Sequence, residues 1–538
     1  MANKPGSGVL RVFCLSWLLL SLLAGLWAIS TPIGGAPDEP AHLIKAASVV
    51  RGQFLGTPGH QGEVVQVPKY VAHTPAQTCY AFRNDVTANC SPDVSGDPAQ
   101  LVDAPTTAGL YNPVYYELVG WPSLFVHDSS GVYWMRIASG IVVSLFLACA
   151  VALISTWRRP TLPMLGLAIA LTPMTLFLSG TVNPNSLEIA ATLATFVGLL
   201  AVINEPDPDL LARRSIIVFV SAAIAANMRG LSLLWLAMAI LAPFVLLGKK
   251  RIVELLRSRT VRLTVAGTAL AAIGAGVWLL TTNSLGAGID GSGAVTVPGF
   301  GASPWSGFSN TLSATFGYAQ GMVGNFGWLD TPAPLSVYFT WSVLAGGLLL
   351  MGFILLRGRA LVLAAILTAA LILLPAIVQG AYITKGGIIW QGRYILPIFV
   401  CATVAVGAGL AYRVRLTRAI KVRMLAVVLS IWGAAQFASY ATALHRYAVG
   451  DNRSWRELLS PAWSPPGGIW LSLVAFALVL VLAIIAVSLY LVRNPETTFG
   501  SVERPGGAPS PSHEVSAMNK QSYDRSDDES DEGAGREI

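Results

Sequence analysis

Apolar residues fall in long runs along this chain, and the polar stretches between most of them are short. A helix needs about 20 predominantly apolar residues to cross a bilayer. Runs of that kind lie near 10–30, 132–155, 161–181, 185–203, 214–228, 230–248, 261–281, 336–356, 360–380, 394–412, 422–443 and 468–492. The pattern predicts an all-α polytopic membrane protein with about twelve transmembrane helices. Two polar intervals are long, 31–131 and 282–335, and smaller ones lie near 381–393 and 444–467.

Lys and Arg in short loops set orientation. WRRP (157–160), ARR (212–214), GKKRIVELLRSRTVR (248–262), RGR (357–359) and YRVRLTRAIKVR (412–423) fall on one side when the runs are counted strictly. That side is expected to be the cytoplasm, with both termini, in a bacterial cytoplasmic membrane. The count depends on reading 214–248 as a hairpin turning at NMRG (227–230), which leaves Arg229 at the outer surface. The first run is long and poor in small-residue cleavage sites, so it reads as a signal anchor rather than a leader. The organisation expected is a cytoplasmic N-terminus over 1–9, a transmembrane domain over 10–492, and a tail over 493–538. The tail (…SDDESDEGAG…) is rich in Pro, Gly, Ser and acids and is expected to be a disordered cytoplasmic segment.

Composition agrees with a membrane class. The 538 residues are 54% apolar and only 12% charged, with a mean hydropathy of +0.61. Soluble domains carry roughly twice that charge fraction. The formal charge of +7 does not point to nucleic acid, because the cations sit between apolar runs as topology determinants. Cys14, Cys149 and Cys401 lie in apolar runs and read as packing residues. Cys79 and Cys90 share the first long polar interval, and a disulfide joins them if that interval is extracytoplasmic.

The candidate chemistry gathers at the outer ends. In STPIGGAPDEPAHLIKA (30–46) the adjacent acids Asp38 and Glu39 stand between Pro37 and Pro40, just past the first run. The prolines restrict the backbone, and Gly34 and Gly35 permit a sharp exit turn. The following AHLIKAASVVRGQFL reads as an amphipathic helix lying along the surface. A carboxylate held this way near low-dielectric lipid is well placed to act as a general base, with His42 beside it. YNPVYYELVGWPSLF (111–125) supplies Tyr111, Asn112 and Tyr115, either as an interfacial belt or as substrate-lining groups. SGTVNPNSLEIAAT (179–192) puts Asn185 and Glu188 at a helix start, where an acid is favoured by the helix dipole in any case. GNFGWLDTPAP (324–334) carries Trp328 and the constrained Asp330. WQGRYILP (390–397) places Gln391 and Arg393 at the mouth of a span. Arg393 could merely snorkel, but outer cations such as Arg229, Lys385 and Arg393 are the partners a lipid phosphate needs.

Taken in order, PDEPAH, NPVYY, NPNS, GNFGWLDTPAP and QGRYILP resemble a bacterial family of predicted multi-pass membrane proteins catalogued as a domain of unknown function. That family is similar in layout to the GT-C superfamily of polyprenyl-phosphate-sugar glycosyltransferases. The resemblance spans roughly residues 10–490. It implies a catalytic acid in the first outer loop (Asp38 or Glu39) and a polyprenyl-phosphate sugar donor; the chemistry of a leaving phosphate then points to Arg393, with Arg229 as second choice and Gln391 beside them, as its binding groups. The resemblance further implies transfer to a glycan or glycolipid acceptor, usually with inversion. Some members use a divalent cation, Mg or Mn, and others none, so metal use stays open. Where an acidic residue is expected after NP, this chain has Asn185, which puts a second carboxylate there in doubt. Two other classes fit the span count: a transporter or flippase of a lipid-linked sugar, and a non-catalytic scaffold of the same layout. Matched halves typical of transporters are not visible in the motifs. No nucleotide-binding motif, zinc spacing or Ser–His–acid arrangement is present.

Overall fold

The long apolar runs are helices. A computed structural model of the chain describes residues 5–60, 62–284, 298–494 and 496. The acidic tail expected from 493 onwards therefore lies outside the described residues, apart from 493, 494 and 496.

Among the described residues nine helices are long and apolar enough to cross a membrane. They are Gly8–Ser30, Ser130–Ser155, Pro184–Asn204, Arg259–Thr281, Leu335–Leu355, Gly358–Gly386, Gly392–Ala411, Arg418–Ala448 and Ile469–Arg493. The remaining expected spans are shorter or bent. Thr161–Ala170 and Pro173–Ser179 meet at 68°. The bend falls at Pro173, which has no N–H to continue the first helix; Thr172 caps the second by accepting from the Thr175 N–H. Ser232–Leu246 is followed by Lys249–Arg257, turned 118° away. Pro208–Ala226 carries Asp209, Arg213 and Arg214 near its start, and only the rest is apolar.

Side-chain bonds divide the connections between two ends of the bundle. At one end Glu205 meets Arg158 at 3.7 Å, Arg159 donates to the Ala411 carbonyl, and Lys421 donates to that of Asn494. At the other, Asn112 donates to Asn227, Trp278 to the Leu110 carbonyl, and Trp328 to the Gly34 carbonyl. Pro208–Ala226 and Ser232–Leu246 each run from one end to the other, as the hairpin reading of 214–248 requires.

The first long interval is a small folded layer. Thr57–Gly59, Gly62–Pro68 and Leu101–Thr106 form an antiparallel sheet, in register Val65 to Ala104 and Val67 to Val102. It covers the helix Glu39–Val49, whose side chains from His42 to Val49 are all buried. This corrects the expected amphipathic surface helix: the sheet and the Val114–Gly120 helix enclose it on the side that would have faced water. The exposed amphipathic helix among the described residues is instead Lys249–Arg257, which buries no residue.

Beneath this layer Trp27 packs against Phe177, Phe326 and Tyr440, with ring centroids 5.3, 5.2 and 5.0 Å away. The Phe177 and Tyr440 pairs are edge-on, an arrangement worth about 0.5–1.5 kcal/mol each beyond burial. Together these ring contacts join the first span to a half-helix, the Asn325–Phe326 strand and a late span. The most enclosed spans are Pro184–Asn204, 83% buried over its apolar window, and Gly392–Ala411, 89% buried. Their ends on the Asp38 side hold Glu188 and Arg393, so both groups stand at the centre of the bundle rather than against lipid.

Candidate functional site

The segment 31–37 has no regular structure, and buried backbone polar groups must still find partners. Every carbonyl in it has one. Arg136 donates to Thr31 and Pro32, Tyr80 to Ile33 at 2.8 Å, Trp328 to Gly34 at 2.9 Å, and Tyr447 to Gly35 at 3.0 Å. The Ala36 carbonyl accepts from the Glu39 N–H, and that of Pro37 from Asn183. Gly34 makes the turn with φ 72°, where a Cβ would strike Thr78. Side chains from five parts of the sequence thus fix the approach to Asp38 and Glu39.

The two acids then part. Glu39 turns inward. Its Oε1 accepts from Arg136 Nε at 2.7 Å and its Oε2 from Arg136 Nη2 at 2.6 Å, and Oε1 also accepts the Val182 N–H at 3.1 Å. Both side chains are fully buried. Three of its roughly four acceptor positions are engaged inside the protein, and the carboxylate is closed to solvent. Tyr115 lies on the same inner side, bonded to Ser139 at 2.9 Å.

Asp38 turns outward. It occupies the N-cap of Glu39–Val49 with φ 63° but caps no N–H. Left-handed backbone is uncommon for any residue except glycine, with Asp and Asn the usual exceptions. Its Oδ2 accepts from Arg393 Nη2 at 2.7 Å; the Asp38 side chain is 49% exposed and that of Arg393 1%. Burial by the surrounding protein raises the Asp38 pKa, but the Arg393 and Arg229 guanidiniums outweigh it and hold the carboxyl below its usual range. One turn on, His42 bonds Tyr116 at 2.9 Å, and burial pushes its pKa down to about 3. His42 is therefore neutral.

Arg393 arrives on Gly392–Ile395, at the mouth of the most enclosed span. Gly392 abuts the Tyr318 carbonyl and Gly321 so closely that no Cβ would fit. Gln379 holds the preceding turn by accepting the Ile389 and Trp390 N–H groups and donating to the Gly387 carbonyl. Nε and Nη1 of Arg393 are buried and have no hydrogen-bond partner, and neither does the Gln391 Oε1 beside them. Such groups cost about 1–3 kcal/mol each when left unpaired, more if charged.

Arg229 completes the cluster. Its guanidinium lies 4.4 Å from the Tyr394 ring centroid, and that of Arg393 lies 5.3 Å from the same ring. Burial would lower the Arg229 pKa, but Tyr394, Tyr111 and Glu188 raise it on balance. Its turn is fixed from two sides. Asn112 donates to Asn227 at 2.8 Å. Ser232 Oγ accepts the Arg229 N–H at 2.8 Å and donates to Glu188 Oε1 at 2.5 Å, while Asn185 donates to Glu188 Oε2 at 2.9 Å. A cavity of about 20 Å³ beside the turn is lined by Tyr111, Asn112, Arg229 and Trp278.

Asp38, His42, Tyr111, Arg229 and Arg393 thus converge, with Asn112, Asn185 and Glu188 supporting them. Trp328 and Asp330 do not face the cluster's charges: Asp330 accepts the Phe82 N–H at 2.7 Å and the Trp328 N–H at 3.0 Å, stapling two loops together. Cys79 and Cys90 are disulfide-bonded, their Cα atoms 6.1 Å apart. Sequence reasoning missed Arg136, Tyr394 and Ser232. A cation inside the apolar run 132–155 was the available signal for Arg136. Among the described residues no three His, Cys, Asp or Glu side chains form a metal-ligand set. Asp38 faces two guanidiniums and Glu188 is tied to Ser232 and Asn185, so these residues do not fit a divalent cation.

The family of predicted membrane proteins described as DUF2142 matches residues 20–402. The chain belongs to that family. No curated protein matches the sequence. The chain is similar to two crystal structures of ArnT from Cupriavidus metallidurans, each match covering 91% of this chain and 77% of that one. The structure bound to undecaprenyl phosphate has 12% identity and a TM-score of 0.44. The apo structure has 13% identity and a TM-score of 0.38.

Proposed function

We propose that this protein is a membrane glycosyltransferase that moves a sugar from a polyprenyl-phosphate donor to a cell-envelope glycan or lipid, with inversion, on the outer face of the cytoplasmic membrane. One observation carries the reading. Arg393 is buried and charged, pairs with a solvent-accessible carboxylate through one nitrogen, and has two further donors unpaired. Unpaired buried guanidinium donors suit a phosphate, and Arg229 offers a second cation across Tyr394.

In the reaction the acceptor hydroxyl oxygen attacks the anomeric carbon. The bond from that carbon to the phosphate oxygen breaks, and polyprenyl phosphate leaves with the electron pair. The hydroxyl proton passes to Asp38. The two guanidiniums stabilise the charge that develops on the phosphate. Before donor binds, Arg393 keeps Asp38 a weak base; when phosphate draws Arg393 away, the carboxylate becomes a stronger one. The outer assignment is supported by the disulfide and by the cations Arg158, Arg159, Lys249, Arg357 and Arg413, which belong to connections at the end away from Asp38.

The test uses the purified protein in liposomes with a panel of polyprenyl-phosphate pentoses and hexoses, following release of polyprenyl phosphate. Asp38→Asn should lower turnover by about 10²–10⁴-fold, the usual contribution of a general base. Wild-type turnover by that variant would overturn the assignment. Movement of labelled donor between leaflets without a new glycosidic bond would favour a flippase instead.

A further inference from the structure

A second cavity lies at the opposite end of the bundle from Asp38. It is a groove of about 230 Å³ between the first, third, eleventh and twelfth crossings, lined by Leu15, Leu23, Ala168, Trp432 and Ile484, with Arg11 at one end. The lining is otherwise almost entirely apolar. The hydroxyls along it are already engaged: Ser16 donates to the Val12 and Phe13 carbonyls, and Tyr490 to that of Ser155. Among the described residues Arg11 has no ion-pair partner.

The groove's dimensions identify what fits it. From Arg11 to Leu23 the helix rises about 18 Å at 1.5 Å per residue. One leaflet of hydrocarbon is about 15 Å deep, half of a typical core. The groove therefore begins with a cation at headgroup level and ends at mid-membrane, near Leu171, whose carbonyl is closed off by donors from Trp432 and Gln436. A long isoprenoid would overrun it. Leu15 is half exposed, so the groove is open along the bilayer side.

We propose that this groove holds one acyl chain of an anionic phospholipid, with its headgroup phosphate on Arg11. The site is independent of the transferase reading, since no residue of it approaches Asp38 or Arg393. The lipid braces the first span against the last two where the broken third crossing leaves a gap.

The test is native mass spectrometry of the full chain, exchanged into equal amounts of phosphatidylglycerol and phosphatidylcholine with identical acyl chains. The wild type should retain a lipid and prefer phosphatidylglycerol. Arg11→Gln should lower that preference by about fivefold, the effect expected of one interfacial cation, and still retain a chain. Ala168→Trp, which fills the groove, should retain one lipid fewer with either headgroup. Leu15→Trp, at a half-exposed position, serves the same purpose should Ala168→Trp fail to fold. The proposal is overturned if the wild type has no headgroup preference, if Arg11→Gln keeps the full preference, or if the filling variant retains as many lipids as the wild type.

Discussion

Glu39 and Arg136 form a two-point ion pair from which solvent is wholly excluded, 2.6 Å at its shorter contact, while the neighbouring Asp38 stands half exposed against Arg393. Two adjacent carboxylates therefore sit in opposite surroundings. Removing one partner of a buried pair leaves the other charge uncompensated, at a cost of about 3–5 kcal/mol. Glu39→Gln should sharply lower folded yield and melting temperature. Asp38→Asn should lower both less, because the Asp38 carboxylate is half exposed and Asn tolerates the left-handed backbone, although the buried Arg393 loses its counter-charge. Thermal unfolding followed by size-exclusion chromatography separates the two, and a stable Glu39→Gln would remove Glu39 from its anchoring role.

Arg393→Lys keeps the charge but loses the planar fork, so one ammonium must choose between Asp38 and a phosphate. Affinity for polyprenyl phosphate, measured on the purified protein, should fall about 10- to 100-fold, the equivalent of one charged hydrogen bond. Unchanged affinity would mean that phosphate binds elsewhere.

Glu188 reaches Arg229 through Ser232, whose hydroxyl touches both. Ser232→Ala and Glu188→Ala should each raise the KM for donor more than they lower kcat, since the turn carrying Arg229 loses its support. The two effects should be less than additive, because they break one chain of bonds. Full additivity in a double-mutant cycle would argue against that chain.

His42 makes stability depend on pH. Its folded-state pKa is depressed to about 3 from 6.5, so the unfolded chain takes up a proton that the folded one refuses. The stability is fully present above pH 6.5 and is lost as pH falls from there toward 3, by at most about 1.4 kcal/mol per pH unit. Asp38, also lowered, acts only below its ordinary 3.8. Melting temperature should therefore decline between pH 7 and 5 in the wild type and flatten in His42→Gln. An equally steep decline in the variant would assign the effect to another group.

The Cys79–Cys90 bond closes a loop with a sequence separation of 11. Within that loop Arg446 donates to the carbonyls of Tyr80, Arg83 and Val86. In the chain-entropy picture a loop of this size gives about 3 kcal/mol. Replacing both cysteines by Ser should lower the melting temperature, and adding reductant to that double variant should change nothing further. A wild type whose melting temperature is insensitive to reductant would place the stability of the loop in the Arg446 contacts alone.

Hydropathy made the spans legible because the bilayer imposes one length on every crossing, and the Lys and Arg bias sorted their ends. The short, part-polar Pro208–Ala226 was recoverable only because the charges on either side demanded a hairpin. The Glu39–Val49 helix was misread as a surface element. Its alternation of Ala, Leu and Lys is the same whether a lipid headgroup or a small sheet covers it, and even Lys45 is buried, donating to the carbonyls of Phe54 and Gly109.

By itself the sequence determined that this chain is a helical membrane protein and that acids and arginines collect at one end of its bundle. Both follow from local composition acting against a solvent of fixed thickness. Only the tertiary structure decided which acid is spent and which is open, because neighbours in sequence can point to opposite sides of a turn. It alone set Arg393 against Asp38, 355 positions away, since such a meeting depends on how the spans pack rather than on any pattern within them.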